Sequence, residues 1–333
     1  MQEIANLAGV SLATVSRIIH SPQLVKEGTR ERILRLMEEN RYVYNATAGD
    51  FSKQRSTVIG VIIPTTKGAI FSNSTQIIQE KAQERGFSLI VASTGYDPGL
   101  ELRLLRHFQE RRLAGVILTG FGIGHERAIE DVVQSGIPCV VVWEALKNRQ
   151  ISYVGFDNRR AAYSMTDYLI RLNHKRIGLI LGPYSKVGRA RKRFEGYRDA
   201  LNKNGLPYDP DLVVEGYPTP ADGKEAMEKL LSLAVRPTAV FAASDMLAIG
   251  ALAAAREKGM EVPRDVSIGG FDDIDFAAYC NPPLTTVRVP AREMGETAVR
   301  VLMEMIEAGS STPRRMELDT ELVIRESCRD LLG

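Results

Sequence analysis

The spacing of apolar positions along the chain changes near residue 58. Before that point, apolar residues recur every three or four positions within polar segments, which is the period of amphipathic helices. This spacing predicts helices over residues 2–8, 12–19 and 30–40, with Thr29 as the N-cap of the third. After that point, continuous apolar runs alternate with amphipathic stretches. The pattern therefore predicts a small helical module followed by a larger α/β region.

The helical module contains a sharp corner between its first two helices. Gly9 can supply the positive φ that such a corner needs, and the Ser11 hydroxyl can accept from a free backbone N–H of the next helix. A short helix, a glycine corner and a second helix form the pattern of a helix-turn-helix, whose second helix enters the DNA major groove. Seven apolar side chains can close a shared core: Ile4, Ala8, Val15, Ile18, Ile33, Leu36 and Met37.

The α/β region contains eight apolar runs that predict buried strands, at 58–63, 88–92, 115–119, 138–143, 152–156, 176–181, 238–242 and 266–271. Helical stretches separate most of them, which indicates parallel sheets with helices on both faces. Because the pattern restarts after residue 152, we expect two similar lobes with a cleft between them. Ligands bind at the carboxyl ends of parallel strands, which places near the cleft Phe71, Ser93, Gly120, Trp143, Asp157, Tyr184, Ser244 and Asp272.

Length and charge agree with this division. A chain of 333 residues is too long for one compact core. Residues 1–57 carry eight Lys/Arg against six Asp/Glu, whereas residues 58–333 carry 35 of each. The net charge of +2 therefore falls entirely on the segment with the helix-turn-helix pattern, as expected for a module that binds nucleic acid.

Other features exclude several classes of protein. Three scattered cysteines and four scattered histidines predict neither a disulfide framework nor a metal site. The sequence shows no signal-peptide core and no apolar run of membrane-spanning length, so a cytoplasmic protein that contacts no membrane is expected. No cofactor is predicted. Because helix 1 lacks a Ser or Thr cap, we also expect either a natural start codon upstream of Met1 or a frayed helix.

Ten motifs follow one another in a fixed order: Ile4–Ile19, Thr29–Leu34, Tyr42–Asn45, Ile59–Pro64, Gly178–Pro183, Arg193–Tyr197, Arg236–Phe241, Ser244–Asp245, Asp265–Asp272 and Pro283–Thr286. In these motifs the chain resembles the lac repressor (LacI/GalR) family of bacterial transcription regulators over essentially its whole length. The resemblance implies a small all-α helix-turn-helix headpiece and a two-lobed α/β core like that of periplasmic binding proteins.

The domain limits implied by the resemblance are a headpiece at 1–43, a hinge at 44–57 and an effector-binding and dimerisation core at 58–330. The first lobe would contain residues 58–157 and 288–318. The second lobe would contain residues 158–287 and 319–330. Two segments, 74–85 and 245–258, resemble helices that pair family subunits, although the small-residue stripe of the second can equally be buried in its own lobe.

The resemblance assigns DNA contacts to the second helix. Arg17 can make a bidentate contact to guanine, while Leu12 and Ala13 offer apolar contact to a base such as thymine. Ser11, Thr14 and Ser16 are expected to hold phosphates. The alternative is that Ser11 is only a helix cap and Arg17 only a solvated side chain.

The resemblance also assigns a hinge to the linker. Asn45, Ala48 and Phe51 are expected in the DNA minor groove, where Phe51 can act as a wedge between base pairs. Gly49 and Asp50 are poor residues for a helix interior, so we expect the hinge to be mostly disordered off DNA. Phe51 can alternatively be an ordinary packing residue.

In the cleft, the resemblance implies an effector site formed by Phe71, Trp143, Asp157, Arg193, Ser244 and Asp272. Arg193 and Asp272 can bind hydroxyls or the polar edge of a ring, and Phe71 and Trp143 can stack on a sugar or nucleobase. The alternatives are a structural ion pair for Arg193 and Asp272, a core position for Trp143, and helix caps for Asp157 and Ser244.

Together these features predict a homodimeric regulator that binds a pseudo-palindromic operator and a small effector, a sugar, sugar phosphate or purine. One alternative is a solute-binding protein with no role on DNA. The other is a dinucleotide-binding enzyme, suggested by the glycines of segment 120–124 with Glu144 as the ribose acid. Position 125 is His where the phosphate-binding motif requires its last glycine, which disfavours an enzyme.

Overall fold

The computed structural model describes residues 1–44, 56–310 and 312–332. The chain divides into two compact units, Met1–Ser56 and Thr57–Gly333, called here the helical unit and the core. Helices of the helical unit are α1 Gln2–Ala8, α2 Leu12–His20 and α3 Glu27–Glu39. Helices of the core are α4 Ala69–Gln83, α5 Pro98–Glu110, α6 Glu126–Gln134, α7 Asn158–Arg171, α8 Gly188–Lys203, α9 Pro220–Leu231, α10 Asp245–Glu257 and α11 Ala291–Ala308.

Strands of the core are β1 Val58–Ile63, β2 Ser88–Ser93, β3 Gly115–Thr119, β4 Cys139–Val142, β5 Ser152–Gly155, β6 Ile177–Leu181, β7 Val213–Glu215, β8 Ala239–Ala242, β9 Ser267–Gly269, β10 Thr286–Arg288, β11 Arg315–Glu317 and β12 Glu321–Val323. All eight predicted strands are present within one or two residues of their expected limits. The four strands that sequence patterns missed are three residues long, too short for a visible apolar run.

The helical unit has the predicted glycine corner. Gly9 ends α1 with a φ of 60°, and the Ser11 hydroxyl caps α2 by accepting from the Thr14 N–H at 3.2 Å. The Arg32 guanidinium of α3 donates to the Ala8 carbonyl at 2.9 Å and ties the third helix to this corner. The buried side chains that hold the three helices together are Ile4, Ala5, Ala8, Val15, Ile18 and Ile33.

The predicted start of the third helix was wrong. α3 begins at Glu27, and its N-cap is Lys26, so Thr29 lies within the first turn. The Lys26 carbonyl accepts from the Thr29 and Arg30 N–H groups, which sets the first turn without a side-chain cap. The acidic side chain of Glu27 suits this position because it lies at the positive end of the helix dipole.

The first lobe of the core is a parallel six-stranded sheet in the order β2-β1-β3-β4-β5-β11. Alternate side chains of each strand point to opposite faces, so both faces are apolar. Helices α4 and α11 cover one face, with Ile78 and Leu302 on strand residues such as Val61. Helices α5 and α6 cover the other, with Phe108 and Ile129 in the same apolar cluster.

The second lobe repeats this arrangement with a four-stranded sheet in the order β7-β6-β8-β9. Helices α7 and α8 pack on one face of the sheet, and α9 and α10 pack on the other. The small-residue stripe of α10, which includes Ala251 and Ala254, is buried in its own lobe, where α10 packs against α9. In the first sheet β1 lies between β2 and β3, and in the second sheet β6 lies between β7 and β8. In each sheet the carboxyl ends of these strands therefore form a crevice.

The chain crosses between the two lobes after β5, after β9 and after β11. The antiparallel pair β10 and β12 runs between the sheets, and α11 and β11 return to the first lobe. Among the described residues, no helix has both the length and the apolar character to span a membrane. The described part of the chain also contains no group of three His, Cys, Asp or Glu side chains placed to hold a metal ion.

Candidate DNA-binding face and effector site

One face of α2 carries the predicted DNA-contacting side chains. Ser11, Leu12, Ala13 and Arg17 are exposed, and Leu12 has 43% of its surface accessible. Thr14 and Ser16 are half-buried. The opposite face of the helix holds Val15 and Ile18 in the core of the unit. The Ser11 hydroxyl caps α2 and also lies 3.0 Å from the Thr14 hydroxyl.

The residues predicted for the minor-groove hinge, Asn45, Ala48 and Phe51, lie outside the described residues. Within the described residues, the predicted DNA contact consists of the exposed face of α2. An exposed, large apolar side chain such as Leu12 on a short helix suits a contact with a base edge.

A cavity of about 650 Å³ lies in the crevice between the two lobes. Its walls come from chain segments that follow the strands: Trp143 after β4, Pro183 after β6, Ser244 after β8 and Asp272 after β9. The first turn of α4 adds Phe71, and the first turns of α8 add Arg189 and Arg193. This mixture of aromatic and charged walls is typical of sites for small molecules.

Arg193 is buried at the base of the cavity. Its guanidinium donates to the Asn158 side-chain oxygen at 2.8 Å and to the Ala243 carbonyl at 2.7 Å. The guanidinium also lies 3.7 Å from the centre of the Phe271 ring. Burial lowers the pKa of Arg193 to about 10, and the charge of Asp272 opposes that shift. Arg193 therefore stays charged at neutral pH in a fixed orientation.

Asp272 lies 4.0 Å from Arg193, measured between its carboxylate and the guanidinium nitrogen. Burial raises the pKa of Asp272 to about 6, while Arg193 and a hydrogen bond from Ser244 act in the opposite direction. Behind it, Asp245 accepts from the Thr286 hydroxyl and the Ile274 N–H. Burial and the charge of Asp272 raise the pKa of Asp245 well above its ordinary value.

The aromatic wall consists of Phe71 and Trp143. Their ring centres are 5.4 Å apart in an edge-to-face arrangement, and Phe156 packs on the other side of Trp143. Trp143 is thus a core residue of its lobe and also part of the cavity wall. Its core position does not prevent it from contacting a ligand. Its indole N–H is buried and lacks a partner among the described residues.

Three residues with a strained backbone conformation line this cavity. Tyr96, Trp143 and Asp272 all have positive φ values, of 64°, 73° and 118°. Such conformations cost side-chain-bearing residues about 1–3 kcal/mol and persist where the surroundings enforce them, often at binding sites. The strain places three side chains of different chemistry on the cavity wall.

The predicted site residues are only partly brought together. Phe71, Trp143, Arg193, Ser244 and Asp272 all line the cavity. Asp157 does not, because its carboxylate caps α7 by accepting from the Arg159 and Arg160 N–H groups. Ser244 precedes α10 but makes no side-chain cap bond, which leaves its hydroxyl for Asp272.

Some other residues that were expected near the cleft lie elsewhere. Ser93 and Tyr184 do not line the cavity, since Ser93 donates to the Pro64 carbonyl and Tyr184 stacks on Phe194. Gly120 lines a smaller neighbouring cavity. Glu144, the ribose-binding acid of the dinucleotide-binding alternative, forms an ion pair with Lys192 at 2.9 Å.

Three further residues, Arg189, Tyr96 and Asn158, shape the site but were not predicted from the sequence. Arg189 donates to the Thr119 carbonyl at 3.1 Å and lies 5.4 Å from the Phe71 ring centre. A Cβ on Gly120 would lie 2.5 Å from the Arg189 guanidinium, so this close approach needs glycine. Asn158 links the Trp143 carbonyl to Arg193. An arginine one helical turn before Arg193 was the signal available in the sequence.

Contacts between the lobes close the rim of the cavity. Gly122 and Val187 form an antiparallel bridge, and the Ile123 N–H donates to the Lys186 carbonyl at 3.1 Å. The Lys192 ammonium donates to the Ala145 carbonyl at 2.8 Å. Each of these contacts joins a loop of the first lobe to the region around the start of α8. The cleft is therefore closed on this side.

Comparison with known proteins agrees with both units. Residues 1–45 match the model of bacterial regulatory proteins of the lacI family, and residues 166–328 match that of a periplasmic binding protein-like domain. The chain is 35% identical to the HTH-type transcriptional regulator MalR of Clostridium butyricum, over 98% of each chain. It is 33% identical to the HTH-type transcriptional repressor CytR of Escherichia coli K12, over 99% of this chain and 96% of CytR.

A solved structure extends this likeness to three dimensions. The transcriptional regulator CelR in its cellobiose complex superposes with a TM-score of 0.73 at 32% identity, over 97% of this chain and 98% of CelR. The helix-turn-helix, the two-lobed α/β core and the full-length identity to several regulators lead to one conclusion. The chain is a DNA-binding transcriptional regulator that belongs to the lacI family.

Proposed function

We propose that this regulator represses transcription as a homodimer on a pseudo-palindromic operator, and that a small effector in the cavity controls its affinity for DNA. The exposed face of α2 is the observation that carries the DNA part, because Arg17 and Leu12 are held there without being needed for the core of the helical unit. In this proposal, Arg17, Leu12 and Ala13 read bases, while Ser11, Thr14 and Ser16 contact phosphates. Asn45, Ala48 and Phe51 enter the minor groove.

The domain limits follow the same scheme. Residues 1–43 form the DNA-binding headpiece, 44–57 the hinge and 58–330 the effector-binding core. The two-unit division of the chain and the crossovers between the two sheets support these limits. A dimer follows from the DNA, since one headpiece contacts few bases and a two-fold protein matches a palindromic site.

The effector is proposed to be a sugar or a related metabolite. The cellobiose complex of CelR supports this class, as do the aromatic wall and the Arg193–Asp272 pair. An effector bound between the lobes changes their relative angle and thereby the spacing of the two hinges. The coupling is reciprocal, so an effector that weakens DNA binding binds less tightly to the DNA complex.

The proposal is tested by selecting fragments of sheared genomic DNA with the purified full-length protein and sequencing those retained at moderate salt. We expect a two-fold symmetric motif and two chains per fragment. Arg17→Ala is expected to change the preferred bases. The control is Arg35→Ala, which replaces an exposed arginine of α3. If this control changes the affinity for DNA, it is expected to lower it equally for all sequences. A monomer with no preference over random DNA would refute the proposal.

A further inference from the structure

Arg189 is a buried cation without a matching anion. Only 7% of its surface is exposed, and the guanidinium has the Thr119 carbonyl, the Phe71 ring and the Tyr96 hydroxyl as neighbours. Among the described residues, no carboxylate lies within ion-pair distance of it. A buried charge without a partner is costly, so a counter-charge is expected from outside the protein.

The carboxylate of the cavity wall, Asp272, is already engaged with the second arginine, although the charge of Arg189 also acts on it. Asp272 lies 4.0 Å from Arg193 and accepts from Ser244. Asp245 is directed away to Thr286 and Ile274, and its raised pKa disfavours the charged form. The cavity wall therefore presents two guanidinium groups against one carboxylate. The proximity of the two cations is also visible in the pKa of Arg193, which Arg189 helps to lower.

Three helices add positive potential at the same place. The N-caps of α4, α8 and α10 are Gly68, Val187 and Ser244, all three line the cavity, and no side-chain cap bond satisfies their first turns. Among the core helices that begin elsewhere, α5, α7 and α9 are capped by Asp97, Asp157 and Thr219, while α6 and α11 also lack a side-chain cap bond. The Asp245 N–H of α10 donates to the Phe271 carbonyl, but the positive ends of the three helix dipoles favour an anion.

The remaining wall suits the polar and apolar surfaces of a carbohydrate. Asp272 and Ser244 can bind hydroxyl groups, and the rings of Phe71 and Trp143 can pack on the face of a sugar. The buried indole N–H of Trp143 is a further donor without a partner. A neutral sugar would use this wall but would leave Arg189 uncompensated.

We infer that the effector is an anionic carbohydrate, one with a phosphate or carboxylate group that binds between Arg189 and Arg193 while its hydroxyls face Asp272 and Ser244. This inference rests on the proposed function, in which the cavity is the effector site. It narrows the effector from sugars in general to sugar phosphates and sugar acids. Arg189 is the residue that determines this specificity.

The test is equilibrium binding to the full-length protein by calorimetry, with matched sets of compounds. Each set contains a neutral sugar, its phosphate ester and its acid, for example glucose, glucose 6-phosphate and gluconate, and inorganic phosphate is measured alone. We expect an anionic member to bind at least about tenfold more tightly than its neutral counterpart. The phosphate and carboxylate arms then decide which of the two anionic groups is bound.

Variants assign the effect to Arg189. Arg189→Gln is expected to lose about tenfold or more in affinity for the anion and thereby to lose the preference for the anion over the neutral sugar. Arg189→Lys, which keeps the charge, is expected to retain most of the preference. Arg191→Gln, an exposed arginine of the same helix, serves as the matched control and should behave like the wild type. Without ligand, the melting temperature of Arg189→Gln should not fall, because the variant removes an uncompensated charge.

Three results would overturn the inference: a neutral sugar that binds as tightly as its anionic counterparts, no binding by any anion in either arm, or undiminished anion binding by folded Arg189→Gln. Operator selection without ligand separates this failure from failure of the proposed function. A protein that selects an operator but binds only neutral sugars would refute the anionic effector alone. A protein that selects no operator, either alone or with each of these compounds, would refute the proposed function.

Discussion

The two candidate binding surfaces of this regulator are built in opposite ways. On α2, Leu12, Ala13 and Arg17 project from an exposed face and contribute nothing to the buried core beneath them. In the cavity, Arg193 and Asp272 are buried and bonded to several parts of the second lobe. Side chains of the first surface can be substituted without affecting the fold. Substitution of Arg193 or Asp272 in the second surface disturbs the fold.

This difference explains how such a regulator can change its operator and its effector at different rates. Surface substitutions away from packing contacts change stability by about 0.5 kcal/mol or less, whereas removal of one partner of a buried ion pair costs about 3–5 kcal/mol. If α2 reads DNA as proposed, one substitution on its exposed face is enough to change the sequence that is read. A change of effector that involves Arg193 or Asp272 requires coordinated changes in the cavity.

The largest effect is expected from Arg193→Ala. It removes the donors to Asn158 and Ala243 and leaves Asp272 buried without its partner. Well above pH 6, the free energy of unfolding of the core should fall by about 3–5 kcal/mol, measured by urea denaturation. Arg191→Ala, on the same helix but exposed, should change it by no more than about 0.5 kcal/mol. Equal losses of stability in the two variants would show that buried Arg193 contributes no more to the fold than exposed Arg191.

An intermediate effect is expected from Asp272→Asn, and it depends on pH. The pKa of Asp272 is about 6 in the folded protein and 3.8 ordinarily, so between these values the folded state binds more protons than the unfolded state. The free energy of unfolding therefore falls as pH rises from about 4 to about 6, and above that range the contribution of Asp272 no longer changes with pH. The decrease in the free energy of unfolding that is due to Asp272 is about 3 kcal/mol at most, since one pKa unit corresponds to about 1.4 kcal/mol.

Asp272→Asn should remove this part of the pH dependence. The charge of Asp272 also contributes to the raised pKa of Asp245, so Asp245 in the variant titrates at a lower pH, and the difference between the two stability curves reports the coupled pair. The measurement is urea denaturation at a series of pH values on either side of 6. Parallel curves for the wild type and the variant would show that Asp272 does not titrate in this range.

The smallest effect on stability is expected from Arg17→Ala. The side chain is exposed, so the free energy of unfolding of the helical unit should change by about 0.5 kcal/mol or less. The discrimination between the preferred operator and a single-base variant should nevertheless fall by about 1–3 kcal/mol, measured by titration of labelled DNA. A large loss of stability would mean that Arg17 belongs to the fold rather than to the reading face.

The sequence predicted the fold more completely than the site. Long apolar runs and the Gly9 corner are local signals, and they gave the strands and the helix-turn-helix. The start of α3 was wrong because a backbone carbonyl at Lys26 sets it instead of a side-chain cap. The cavity depends on contacts between distant segments, such as that of Arg189 with Thr119, 70 residues apart. Spacing along the chain carries no record of such contacts.

Asp157 and Ser244 illustrate the same limit at single positions. Both follow strands and precede helices, so the sequence gives them equal claims to cap a helix or to face the cleft. The structure separates them, because the carboxylate of Asp157 turns back to its own helix while Ser244 reaches Asp272. The choice is made by tertiary neighbours, not by the local pattern.

The bridge between Gly122 and Val187, with the adjacent bond from Ile123 to Lys186, has a kinetic consequence. A molecule enclosed behind these main-chain bonds can exchange with solvent by this side only after they break. Escape by this side is then timed by the opening of the protein and not by the diffusion of the molecule. If the cavity holds the proposed effector, this route delays its release by the time that the opening takes.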